Sequence, residues 1–144
     1  MTLNNFQFNT TPGLRFGSGE AKNSCKEIFN KLGSRILFIT DKGLMSLGLT
    51  KPTIQELKTM GEVEVFDGVE ADPSKKTLLT AIEIGKKFKA TGVIGFGGGS
   101  SMDVAKLSAL ILGSNEDLEK AWGVTNAKGP RLPCLLYTSP SPRD

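Results

Sequence analysis

The sequence predicts an α/β fold, a parallel sheet with helices covering both of its faces. Two observations predict it. Segments of helical period alternate with short apolar or alternating runs along most of the chain, in the order helix, strand, helix, strand, helix, strand, helix. Glycine, proline and aspartate punctuate the junctions between them, where helices start and stop.

Residues 1–18 are polar and turn-rich, with TTPG and FGSGEA. From Gly19 a helical period appears, with Ala21, Cys25, Ile28, Phe29 and Leu32 on one face. Gly33 is placed to end that helix. RILFIT (35–40) reads as a buried strand, and Asp41, Lys42 and Gly43 form the turn after it. Residues 49–61 predict a helix with Pro52 in its first turn and Gly61 at its end. EVEVF (62–66) is a strand of alternating pattern. Residues 71–90 predict a helix with Asp72 as N-cap, Pro73 at the first helical position, and Leu78, Leu79, Ile82 and Phe88 on its apolar face. TGVIGF (91–96) is a third strand. SMDVAKLSALIL (101–112) is a further long helix, closed by Gly113.

The chain has 144 residues, the size of one domain, and enough to bury a core without metal or disulfide support. Net charge is +3, from 18 basic and 15 acidic residues that are interspersed. That balance excludes a strongly basic nucleic-acid or membrane-surface binder, so neither is expected as a partner. No apolar run is long enough to span a bilayer, and the N-terminus lacks the pattern of a secretory signal. Cys25 and Cys134 match no metal or redox spacing, and two reduced thiols in a cytoplasmic protein are the expectation. There is no histidine, which removes the commonest metal ligand and general base.

In open parallel sheets, ligands bind beyond the carboxyl ends of the strands. Three polar turns lie at that edge: 41–43, 69–74 (VEADPS) and 97–101. The last holds Gly97, Gly98 and Gly99, followed by Ser100 and the start of a helix. Free N–H groups at a helix N-terminus attract anions, and side chains there would hold a phosphate away from them. The glycines thus suit phosphate binding, with the Ser100 hydroxyl as an added donor. A tight turn needing positive φ is the other reading, which one glycine would satisfy. The spacing is neither the common dinucleotide fingerprint nor a Walker A loop. Asp103 sits in the first helical turn, where a carboxylate suits the dipole, and Lys106 stands one turn on, as a solvated ion pair would have it. Asp41 ends the first strand, as either an Asx-turn or an acceptor for both hydroxyls of an adenosine ribose.

GFGGGSSMDVAK (95–106) resembles the Gly-Gly-Gly-Ser-x-x-Asp-x-Ala-Lys signature of the iron-containing, or group III, alcohol dehydrogenases. FNTTPGLRFGSGEA (8–21) is similar to that family's opening hairpin, and LFITDKGL (37–44) to its first nucleotide-binding strand and turn. VEADPS stands where the family usually reads Pro-Asn-Pro, and Ala71-Asp72-Pro73 departs from it. The resemblance implies a Rossmann-like domain over residues 1–134 that binds NAD or NADP. Gly97, Gly98, Gly99 and Ser100 would hold the pyrophosphate, Asp41 would meet the adenosine ribose, and Asp103 would complete the cofactor site. It also implies a helical C-terminal domain with Fe²⁺ or Zn²⁺ on one aspartate and three histidines, which is missing from this sequence. A small alcohol or aldehyde is the implied substrate, and a homo-oligomer the implied state of the full-length enzyme. The 144 residues alone are expected to be inactive, and LLYTSPSPRD (135–144) to be an unrelated tail. Two other readings stand beside this one. They are a sugar-phosphate cyclase of the dehydroquinate synthase kind, which is a lyase, and a nucleotide-binding module without catalysis.

Overall fold

The computed structural model describes residues 13–121 and 129–137. Four strands, β1 (Arg35–Ile39), β2 (Glu62–Phe66), β3 (Gly92–Phe96) and β4 (Cys134–Tyr137), form one sheet in the order β2-β1-β3-β4. Every pairing is parallel. Among the described residues seven helices accompany them: α1 (Glu20–Asn23), α2 (Cys25–Leu32), α3 (Lys42–Ser46), α4 (Lys51–Met60), α5 (Lys75–Phe88), α6 (Gly99–Ser114) and α7 (Leu118–Ala121).

Side chains alternate across a strand, so each central strand feeds two cores. Leu37, Ile39 and Val93 point to one face and pack with Leu78, Ala81 and Ile82 of α5 and Val104, Ala105 and Ala109 of α6. Ile36, Phe38, Ile94 and Phe96 point to the other, against Cys25, Ile28 and Leu32 of α2 and Ile54 and Leu57 of α4. Residues 36–39 are fully buried, as the apolar run requires. Phe38 stacks on Phe96 with ring centroids 5.6 Å apart. A buried aromatic of this kind is worth about 3–5 kcal/mol against alanine. The predicted Rossmann-like α/β sheet, covered on both faces, is the observed fold.

Several boundaries differ from expectation. The first helix is broken at Ser24, whose hydroxyl donates to the Glu20 carbonyl at 2.5 Å. Asp72 is not the cap of α5. It takes a left-handed conformation with φ 55°, and Ser74 two residues on caps the helix through Thr77 N–H. Leu79 points outward, and Ala81 and Gly85 replace it on the buried face of α5. Gly113 does not end α6. A Cβ there would stand 2.6 Å from Leu132 N, so glycine lets residues 130–132 pass close by, and Asn115 makes the left-handed C-cap instead.

The largest correction is at the end of the chain. The expected domain boundary at residue 134 falls inside the sheet, because Leu135, Leu136 and Tyr137 pair with Ile94, Gly95 and Phe96. Residues 138–144 lie outside the described residues, as do residues 8–12 of the expected 8–21 hairpin, and residues 13–16 form no strand. Cys25 and Cys134 are both free. Burial pushes the Cys25 thiol up to about 11, so it stays protonated and inert.

Candidate functional site

Strand order 2-1-3-4 reverses direction between β1 and β3. From β1 the chain steps to one side, then crosses back to place β3 on the other. At such a switch point the loops leaving the two strands part in opposite directions and leave a crevice at the carboxyl edge. Asp41 leaves β1 there and Gly97 leaves β3. A cleft of about 430 Å³ opens at this edge, lined by Asp41, Lys42 and Gly43, by Val69, Glu70 and Ala71, and by Gly98, Gly99, Ser100 and Ser101. All three polar turns expected at this edge line it.

The three glycines have different reasons. Gly97 is buried with φ 142°, a conformation that L side chains rarely adopt. A Cβ on it would stand 3.0 Å from Leu44 Cδ1, 3.1 Å from Ser101 Oγ and 3.3 Å from Asp41 Oδ2. The fold alone therefore demands glycine at 97. Gly98 has φ −77° and ψ −173°, ordinary extended backbone. Among the described residues, nothing beyond the adjoining backbone lies within 4 Å of a Cβ at Gly98 or Gly99. Nothing in the fold requires glycine at those two positions, and their missing side chains leave the space above the loop open.

Gly98 is the N-cap of α6 and supplies no side-chain acceptor. The first hydrogen bond of the helix runs from Met102 N–H to the Gly98 carbonyl at 3.1 Å. The N–H groups of Gly99, Ser100 and Ser101 precede it and form an uncapped first turn. Together with the dipole of a 16-residue helix they give the loop the chemistry that suits an anion.

Asp41 serves two ends. Its Oδ1 accepts from Leu44 N–H at 2.9 Å and so caps α3, as the Asx reading required. Its Oδ2 is turned toward Gly97, across the foot of the cleft. One carboxylate thus holds the turn and presents a second acceptor to the cavity.

The opposite wall is clamped by Glu70. Its Oε1 accepts from Ser74 N–H at 2.9 Å and from the Thr77 hydroxyl at 2.5 Å. These bonds, the Ser74 N–H first, hold the Glu70 carboxyl down at about 2. Among the predicted site residues, the structure brings Asp41, Gly97, Gly98, Gly99 and Ser100 together. Asp103 stands apart: it is exposed on α6, pairs with Lys106 at 2.8 Å and does not line the cleft. Asp72 does not line it either. Ser101, buried beneath the loop, and Glu70 were not singled out from sequence. The spacing of Glu70 from Ser74, four residues, was the available signal for its capping role.

The family model for iron-containing alcohol dehydrogenase matches residues 12–139. The chain belongs to that family. Among its relatives is a sulfoacetaldehyde reductase of Bilophila wadsworthia, 31% identical over 134 residues, or 92% of this chain and 34% of that one. The NADH-dependent butanol dehydrogenase A of Thermotoga maritima superposes with a TM-score of 0.77 at 28% identity, over 92% of this chain and 34% of its own. A sulfoacetaldehyde reductase of Bifidobacterium kashiwanohense, solved in complex with NAD+, superposes with a TM-score of 0.70 at 29% identity, over 85% of this chain and 32% of its own. The chain spans about a third of the length of these relatives.

Proposed function

We propose that the cleft between Asp41 and the Gly97–Ser101 loop binds the dinucleotide of an alcohol or aldehyde oxidoreductase, with NAD preferred over NADP. One observation carries the reading. At the switch point of the sheet, an uncapped helix N-terminus with empty space over Gly98 and Gly99 faces a carboxylate that keeps one oxygen for the cavity. The N–H groups of Gly99, Ser100 and Ser101 would hold the pyrophosphate, with the Ser100 hydroxyl as a further donor. Asp41 would accept from the ribose hydroxyls and repel a 2′-phosphate. Val69 and Ala71 offer an apolar wall beside it. When bound, the nicotinamide supplies the hydride chemistry. The NADH-dependent relative and the relative solved with NAD+ support this cofactor.

The divalent metal of the family finds no holder among the described residues, where no three His, Cys, Asp or Glu side chains converge. These residues therefore supply the cofactor half of the reaction, and the substrate half is not assigned to them. Membership of the dehydrogenase family weighs against the lyase reading. The test is titration of the purified chain with NADH. We expect saturable binding, and Gly98→Val should weaken it at least ~tenfold, about 1.4 kcal/mol. Thermal stability should hold, since a Cβ at this position meets nothing among the described residues. Equal NADH affinity of variant and parent would refute the site.

A further inference from the structure

Thr40 is fully buried at the carboxyl end of β1, between the apolar run 36–39 and Asp41. It bonds to both neighbouring strands. Its N–H donates to the Phe66 carbonyl of β2 at 2.9 Å, and its hydroxyl donates to the Phe96 carbonyl of β3 at 2.8 Å. The β1–β3 register ends one residue earlier, at Ile39 and Gly95. A side chain thus ties the two strands together just past their ladder, where they part to open the cleft.

The Phe96 carbonyl and the Gly97 N–H belong to one peptide group. The carbonyl accepts from Thr40, and the N–H donates to the Tyr137 carbonyl of β4 at 2.8 Å. The peptide that enters the glycine loop is therefore held from both sides. Next to it, Asp41 follows Thr40 directly in the chain and turns Oδ2 toward Gly97. The hydroxyl of Thr40 links the two anchors of the cleft, one residue back from each.

We propose that Thr40 is a positioning residue, whose buried hydroxyl sets the spacing between the Asp41 carboxylate and the Gly97–Ser101 loop and so determines how well one dinucleotide engages both. The proposal rests on the cofactor reading above. A nucleotide with a free 2′-hydroxyl uses both anchors, whereas one with a 2′-phosphate draws its affinity from the loop alone. Disturbing the spacing therefore harms NADH more than NADPH. A general loss of stability harms both equally.

The experiment titrates the parent, Thr40→Val and Thr40→Ser with NADH and NADPH, well below each protein's melting temperature. Valine keeps the shape and removes the hydroxyl, leaving the Phe96 carbonyl without its donor. We expect Thr40→Val to weaken NADH at least ~tenfold and to lower the NADH over NADPH preference at least ~threefold. Thr40→Ser should keep both within ~twofold of the parent, although it gives up a packed methyl. Should Thr40→Val not fold, Thr40→Ala takes its place in the comparison with serine. Parent-like binding by the hydroxyl-free variant, equal weakening of both nucleotides, or a serine variant as damaged as valine would each overturn the role. A parent chain that binds neither nucleotide would instead remove the cofactor reading, and this proposal with it.

Discussion

The turn from β2 into α5 and the turn from β3 into α6 line the same cleft, yet they treat their helix N-termini in opposite ways. At α5, Ser74 accepts from Thr77 N–H while Glu70 takes Ser74 N–H and the Thr77 hydroxyl. The helix start is satisfied by the protein's own side chains. At α6, Gly98 offers no side chain, and no side chain among the described residues caps the first turn. The start of α3 resembles α5, with Asp41 as its cap. A capped N-terminus is a finished piece of structure, whereas an uncapped one beside an open cleft is suited to an anion. On the proposed reading, the difference separates wall from site within one cavity.

The most severe way to break the comparison is to finish the unfinished helix. Gly98→Asp places a capping carboxylate where a phosphate would sit, and the two anions exclude each other. NADH affinity should fall at least ~30-fold, about 2 kcal/mol. The melting temperature should hold or rise, because aspartate is a good N-cap. Retained binding by this variant, followed by titration, would erase the distinction between the two turns.

Asp41→Gly acts on the boundary between wall and site. It removes the α3 cap at a cost of only about a few tenths of a kcal/mol, because glycine is itself tolerated at an N-cap. It should also reduce the preference for NADH over NADPH by about tenfold, 1.4 kcal/mol. Parallel titrations check this, and an unchanged preference would leave Asp41 with its capping role alone. Ser74→Ala is the mirror test on the capped turn. It should cost about 1 kcal/mol in denaturant unfolding, with NADH affinity within about twofold of the parent.

The smallest effect is a matter of pH. The Glu70 carboxyl is held at about 2 in the fold, below its ordinary 4.5. Its clamp therefore contributes fully above pH 4.5 and is lost as pH falls through about 2, since between those values the unfolded chain binds the proton and the folded one does not. Glu70→Gln should flatten the fall in stability across that window and leave neutral pH little changed. Acid unfolding curves that superpose for the two proteins would show that the clamp carries no weight.

These contrasts also mark where the chain could be read in advance. Strands β1, β2 and β3 and helices α4 and α5 announce themselves locally, through apolar runs, periodicity and caps that act within about four residues. The choice between Asp72 and Ser74 as cap was not local. Both residues suit the position, and the left-handed turn at Asp72 together with the Glu70 clamp decides it. Gly113 carried the sign of a helix end, but its use is to admit residues 130–132 beside α6, a contact across the fold. β4 was missed for the same reason. Two prolines close behind it suggested a tail, whereas its pairing partner β3 lies some 40 positions earlier in the chain.

The glycine loop shows the division most directly. From sequence alone, the run Gly97–Gly98–Gly99 before a helix placed a turn suited to a phosphate at the carboxyl edge of a parallel strand, with Asp41 at the same edge. Sequence determined the alternation of elements as well, because burial and backbone geometry impose their periods on any local stretch. Only the tertiary structure decided that the three glycines differ. Gly97 is required by its φ of 142° and by the approach of Asp41, while Gly98 and Gly99 face open space. It likewise decided that Asp103, with Lys106 one turn on, stands outside the cleft and that Thr40 ties β1 to β3 beneath it. The physical reason is distance along the chain: caps and periods are settled between near neighbours, but room for a Cβ or a partner for a buried hydroxyl exists only once remote segments have packed.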